Sequence, residues 1–119
     1  MNKFKDKVSI LGTEYRIVVT NEEETPAMAD ASGLTDDTVH TIFLDDCSTY
    51  RDDCGKKDLD QYMRRVLRHE IVHAFLYESG LAVSSMESTE WAINEEMVDW
   101  FARQSPKIFR AFKEAGCDE

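Results

Sequence analysis

The chain has 119 residues, of which 42% are hydrophobic and 32% charged, and its 14 basic and 24 acidic side chains give a net charge of −10. This length suits one hydrophobic core, so residues 1–119 are interpreted as a single domain. No apolar run approaches the roughly 20 residues that cross a bilayer, and a negative surface disfavours direct binding to nucleic acid.

The cysteines and the first residues indicate a compartment. The three cysteines are odd in number and scattered, which is typical of a protein in a reducing environment. Residues 1–7 are polar and lead into a strand-like segment, without the apolar stretch of a signal peptide. These features predict a cytoplasmic protein without a membrane partner.

The first half of the chain predicts a small sheet. Apolar residues nearly alternate over residues 8–20 on either side of Gly12, which predicts a two-stranded hairpin. Residues 21–38 are acidic and contain a proline and a glycine, so they predict a long loop with room for a short strand at 29–34. Residues 39–44, VHTIFL, predict a third strand.

The second half predicts three helices. Asp58 as N-cap and Gly80 as the left-handed terminal residue predict a helix over 59–79, apolar almost all round near its end. Ser84 or Ser88 begins a second helix that stops before Pro106. A third, shorter helix begins with Ser105 as N-cap and ends at Gly116. The aromatic side chains that recur at helical spacing in this part are interpreted as core: Trp91, Trp100, Phe101, Phe109 and Phe112.

The first predicted helix contains the motif H-E-x-x-H, from His69 to His73. Two histidines four residues apart differ by about 40° around a helix and lie one turn apart, so both imidazoles can reach one ion at about 2.0–2.1 Å. Glu70 lies beside that face, where it can take a proton from metal-bound water. We therefore expect Glu70 to act as a general base.

A second motif, N-E-x-x-x-D, runs from Asn94 to Asp99 on the next predicted helix. Together the two motifs resemble the gluzincin metallopeptidases, whose thermolysin-like members pair them. The resemblance implies one Zn²⁺ per chain, held by three ligands: His69, His73 and Glu95. It also implies that Asp99 orients His69 through the other ring nitrogen and that Asn94 stands beside the ligands. Glu95 and Asp99 share a helix face, whereas Glu96 lies about 100° away and is less favoured as a ligand.

The strand pattern and the phrase Val98-Asp99-Trp100-Phe101-Ala102 resemble the minigluzincins and the ImmA/IrrE family of phage and mobile-element metallopeptidases, over residues 40–105. The resemblance implies a phage or prophage origin and an α+β, zincin-like domain. We expect an N-terminal sheet of about three strands, an active-site helix, a glutamate-bearing helix and a C-terminal helix. The third strand is expected to rim the cleft, and an extended substrate to pair with its edge.

These observations predict a zinc-dependent peptidase that hydrolyses a protein or peptide substrate, with a transcriptional repressor as one candidate. An alternative stays open: a catalytically weak or inactive, metal-stabilised interaction protein that acts on a repressor or another protein partner. His40, Tyr50 and Tyr77 are further candidates for stabilising an oxyanion, although an ordinary structural role is favoured for His40. Cys47 and Cys54 lie in or near a polar loop without a matching cysteine pair, so a second metal site is disfavoured.

Overall fold

The computed structural model describes residues 4–47, 58–82 and 91–119, without the side chain of Trp91. In this part of the chain a four-stranded sheet precedes two α-helices, which confirms the predicted α+β class with an N-terminal sheet. Neither of the two helices combines the length and the apolar character that a membrane span requires.

The sheet has the strand order β1-β2-β4-β3. Its strands are β1 (Lys7–Ile10), β2 (Thr13–Thr20), β3 (Gly33–Asp36) and β4 (Thr41–Asp45). The predicted hairpin is confirmed, and both of its turn residues, Leu11 and Gly12, have positive φ as a two-residue type I′ turn requires. β4 runs parallel to β2 and antiparallel to β3.

The strand predicted to rim the cleft is in fact central. β4 corresponds to the predicted third strand, but it lies between β2 and β3. The chain turns back within the predicted long loop, so β3 pairs along the outer side of β4 and becomes the edge strand. The prediction for residues 39–44 at the rim is therefore wrong, and β3 has that position.

The helix α1 (Leu59–Glu78) forms where local signals predict it. The Asp58 side chain accepts a hydrogen bond from the backbone N–H of Gln61 at 3.0 Å, and Gly80 follows the helix with φ of 86°. One side of α1, with Met63, packs on the sheet residues Tyr15, Ile42 and Leu44. Farther along, Leu76 packs against Val98 of the second helix. α1 thus lies between the sheet and the second helix.

The second helix, α2 (Glu95–Ala115), begins later than predicted. Residues Trp91–Ile93 form a 3₁₀ turn, and Asn94 is the N-cap, with extended backbone and a side-chain oxygen that accepts from the Met97 N–H at 2.9 Å. The predicted starting residues, Ser84 and Ser88, lie outside the described residues. Because Asn94 satisfies an unpaired amide of the first turn, the helix starts at Glu95.

The prediction of a separate C-terminal helix is wrong, because α2 continues through Pro106 to Ala115 and ends at Gly116. Proline has no N–H to donate to the carbonyl of Ala102, four residues earlier. That carbonyl accepts a hydrogen bond from Nε of Arg68 on α1 at 2.6 Å instead. The side chain of α1 therefore replaces the bond that Pro106 removes.

The prediction that the aromatic residues of α2 belong to the core is wrong. Four of them are largely exposed: Trp100, Phe101, Phe109 and Phe112. The residues of α2 that are buried are small or lie in its first three turns, namely Val98, Ala102 and Ser105. Among the described elements α2 packs mainly against α1, so much of its surface stays exposed.

Candidate metal centre

Helix α1 presents His69 and His73 one turn apart on the same face. Their Nε2 atoms are 3.2 Å from each other, and their ring centroids are 4.9 Å apart at an interplanar angle of 64°. Each side chain is largely shielded, yet both Nε2 atoms point toward the N-terminus of α2. The H-E-x-x-H spacing therefore produces a pair of converging nitrogens.

Glu95, the first residue of α2, completes this pair. Its Oε1 lies 2.8 Å from Nε2 of His69 and 3.0 Å from Nε2 of His73, while its side chain is 70% exposed. Tetrahedral coordination with bonds of about 2.0–2.1 Å would place ligand atoms about 3.3 Å apart. The three atoms are close to that arrangement, and this group could hold a metal ion.

The other ring nitrogen of His69 faces a carboxylate. Nδ1 of His69 lies 3.4 Å from Oδ1 of Asp99, and Nε of Arg103 donates to Oδ2 of the same carboxylate at 2.7 Å. Partial burial alone would raise the pKa of Asp99, but the hydrogen bond and charge of Arg103, together with His69, hold it below its usual value. An ionised Asp99 favours the tautomer of His69 with its proton on Nδ1.

This tautomer explains why the donor set suits a cation. With the proton of His69 on Nδ1, the lone pair of Nε2 points at the carboxylate oxygen of Glu95 and at a second imidazole nitrogen. Lone pairs directed at one another repel, and a cation between them removes the repulsion. Two imidazoles and a carboxylate form a donor set typical of zinc.

Glu70 lies next to the ligands but is bonded elsewhere. It is only 7% exposed, and Oγ1 of Thr35 on β3 donates to its Oε1 at 2.7 Å. Burial raises the pKa of Glu70, while the Thr35 hydrogen bond and the two histidines oppose the rise. A Cβ atom at position 33 would lie 2.9 Å from Cγ of Glu70. β3 can approach the Glu70 side chain this closely because residue 33 is glycine.

Two clefts adjoin the candidate metal centre. The wider cleft, of about 380 Å³, extends past Arg65 and Arg103, and the narrower cleft, of about 210 Å³, extends past His73 and Tyr77. Both are lined by Gly33, His69 and Glu70. The side chain of Glu70 therefore stands where the two clefts meet.

The remaining candidates are placed as follows. Asn94 caps α2, and none of its contacts among the described residues reaches a histidine of the centre. His40 lies 3.8 Å from Glu78 and beside the ring of Tyr15, outside the lining of the two clefts. Tyr77, in contrast, lines the narrower cleft.

A second metal site at Cys47 and Cys54 was disfavoured from the sequence, and the surroundings of Cys47 agree with that interpretation. Cys47 is buried in the core beside the sheet, where burial raises the pKa of its thiol to about 11. Cys54 and Tyr50 lie outside the described residues. A thiol with so high a pKa is a poor metal ligand at neutral pH, because the thiolate is the form that binds.

The sequence reasoning missed three contributors to the site. Arg103 stands four residues after Asp99, and this helical ion-pair spacing was a usable signal. Gly33 and Thr35 carry no local signal, because their roles depend on the approach of β3 to α1. Only the tertiary arrangement brings them to Glu70.

A family model described as BSP, peptidase of plants and bacteria, matches residues 5–118. The chain belongs to this peptidase family. No curated protein and no solved structure gives a significant match. Membership in a peptidase family implies a protein or peptide substrate, and the group of His69, His73 and Glu95 is a place where a metal ion could bind.

Proposed function

We propose that this chain is a zinc-dependent peptidase of the gluzincin type, with His69, His73 and Glu95 as ligands and Glu70 as general base. The observation that carries this proposal is the convergence of Glu95 Oε1 on the two Nε2 atoms, at 2.8 and 3.0 Å, beside a cleft that contains Glu70. Three protein ligands with an exposed fourth side are typical of a catalytic rather than a structural zinc site.

A bound zinc ion would supply a Lewis acid that polarises the scissile carbonyl and lowers the pKa of water. The chain's own residues move the proton. Glu70 accepts a proton from the attacking water and returns it to the leaving amine. Because water itself attacks the carbonyl carbon, no acyl-enzyme forms. Thr35 supports this role, because its hydroxyl binds Oε1 of Glu70 and fixes the direction of the carboxylate.

The edge strand β3 supplies the surface on which we propose that the substrate lies. β3 pairs with β4 on one side only, and its residues Gly33, Leu34 and Thr35 line the narrower cleft. A peptide in extended conformation can pair with such an edge through backbone hydrogen bonds. A peptide that runs either parallel or antiparallel to β3 would place its scissile carbonyl beside the proposed metal ligands.

Turnover in the variant Glu70→Gln tests the mechanism. We expect this variant to retain zinc and to lose at least about 100-fold in kcat against a casein or mixed-peptide substrate, because the amide cannot accept the proton. Glu96→Gln is the matched control, since it removes one carboxylate from an exposed position next to Glu95. Zinc-loaded Glu70→Gln protein with unchanged kcat would contradict the proposed mechanism.

The alternative, an interaction protein with a weak or inactive centre, has one observation in its favour. Trp100, Phe109 and Phe112 of α2 are exposed aromatic side chains of the kind that protein interfaces use. Such a protein would bind its partner equally well after Glu70→Gln and would leave the partner uncut. The repressor substrate, the phage or prophage origin and the cytoplasmic location rest on the sequence and stay predictions.

A further inference from the structure

The wider cleft contains two guanidinium groups beside the candidate metal centre. Arg65 of α1 and Arg103 of α2 line it together with His69 and two carboxylates, Glu70 and Asp99. The chain as a whole carries a net charge of −10. Because the Asp99 carboxylate is bonded to Nε of Arg103, the guanidinium of Arg65 and the terminal nitrogens of Arg103 are the groups of this cleft that can bind an anion.

Arg65 is held in place without a described anionic partner. Its guanidinium carbon lies 5.7 Å from the ring centroid of Tyr62, and the hydroxyl of Tyr62 lies 2.6 Å from Oγ of Ser32. Among residues 4–47, 58–82 and 91–119, no carboxylate forms an ion pair with Arg65. The contact with the ring restricts the side chain of Arg65, which lines the wider cleft.

Arg103 is only partly used by its neighbour. Its Nε donates to Asp99 at 2.7 Å, which occupies one of the five N–H donors of a guanidinium. The side chain is half exposed at the cleft. The terminal nitrogens therefore remain suited to a second carboxylate.

The narrower cleft has a different set of charges. Its lining contains Glu95, Glu70 and Tyr77 and, among the described residues, no lysine or arginine. Burial raises the pKa of Tyr77, and the negative charges of Asp37, Glu95 and Glu70 raise it further. The arginines therefore lie on one side of Glu70 only, and this asymmetry would orient a charged substrate.

We propose that the wider cleft is a substrate subsite that binds a carboxylate close to the scissile bond, with Arg65 as the residue that determines this specificity. The carboxylate comes from an aspartate or glutamate side chain or from the C-terminus of the peptide. A planar guanidinium fork matches a carboxylate with two parallel hydrogen bonds, which a lysine cannot provide. This inference rests on the proposed peptidase function.

Paired peptide libraries test the subsite. Fluorescent hexapeptides are synthesised with Glu or Gln fixed at each position in turn, and each library is made with a free or an amidated C-terminus. Binding is measured by fluorescence anisotropy to zinc-loaded Glu70→Gln protein, and cleavage is measured with the wild type. We expect roughly tenfold tighter binding, and a similar gain in kcat/KM, for the acidic member of the preferred pair.

Substitutions at Arg65 and Arg64 distinguish a specific role of Arg65 from the effect of positive charge in general. Arg65→Gln is expected to abolish the preference, whereas Arg64→Gln, which removes the same charge from an exposed position of α1, is expected to keep it. Arg65→Lys retains the charge without the fork and is expected to fall between the two. Circular dichroism and cleavage of the Gln library verify that each variant is folded.

Each outcome supports or overturns the subsite independently of peptidase activity. A preference that depends on the fixed Glu assigns the carboxylate to a side chain, and one that depends on the free terminus assigns it to the C-terminus. Equal binding of acidic and neutral peptides, or no binding of either, overturns the subsite. Binding that depends on Arg65 without any cleavage supports the subsite and contradicts the proposed peptidase function.

Discussion

His69 connects the two parts of the candidate metal centre. One ring nitrogen faces the ligand oxygen of Glu95 at 2.8 Å, and the other faces Asp99 at 3.4 Å. Asp99 is in turn held by Arg103. A carboxylate behind a histidine ligand fixes the ring orientation and makes the imidazole a stronger donor to the metal.

The variant Asp99→Asn tests this support. An amide cannot provide the negative charge behind His69, so we expect zinc affinity to fall by roughly 10- to 100-fold, as is usual when such a partner is removed. The measurement is competition with a chromophoric chelator. Glu96→Gln, which changes an exposed neighbour, is expected to leave the affinity unchanged. Equal affinities in Asp99→Asn and wild type would show that His69 has another support.

At the scale of elements, the junction of α1 and α2 depends on a hydrogen bond from Arg68 to a carbonyl of α2. That carbonyl has no partner within its own helix because Pro106 lacks an N–H. The Ala102 residue is fully buried, and Pro106 has no N–H to donate to its carbonyl. Nε of Arg68 donates to that carbonyl at 2.6 Å. Arg68 directly precedes His69, so this bond also fixes α2 beside the candidate metal centre.

A double-mutant cycle tests this junction. Arg68→Met leaves the buried carbonyl without a donor, and we expect the free energy of unfolding to fall by about 1–3 kcal/mol. In a Pro106→Ala background the restored N–H can reach the carbonyl, so the same substitution should cost less. Urea unfolding of the four proteins measures the coupling, with Arg64→Met as exposed control. Equal costs in both backgrounds would contradict the account of the junction.

The elements also show how far sequence reasoning reaches. α1 was predictable because its cap at Asp58, its end before Gly80 and the H-E-x-x-H motif are local signals. β3 and its Thr35 were not, because their importance arises from pairing with β4 and contact with Glu70. Pro106 was misinterpreted as a helix boundary because its compensation, the bond from Arg68, comes from a distant part of the chain.

At the scale of the whole molecule, the candidate metal centre joins three separate parts of the fold. α1 supplies two of the candidate ligands, α2 supplies the third, and the edge of the sheet supplies the hydrogen bond that holds Glu70. A metal ion bound by both helices would stabilise their packing, because binding to the folded state alone shifts the folding equilibrium. The two clefts beside the candidate metal centre meet at Glu70.

The central claim is that His69, His73 and Glu95 hold one zinc ion, and elemental analysis by mass spectrometry tests it most directly. The protein is purified without a histidine tag as wild type, Glu95→Ala and, as neighbouring control, Glu96→Ala. We predict about one zinc per chain in the wild type and in Glu96→Ala, and far less in Glu95→Ala. No zinc in the wild type after reconstitution, or full zinc in Glu95→Ala, would contradict the account.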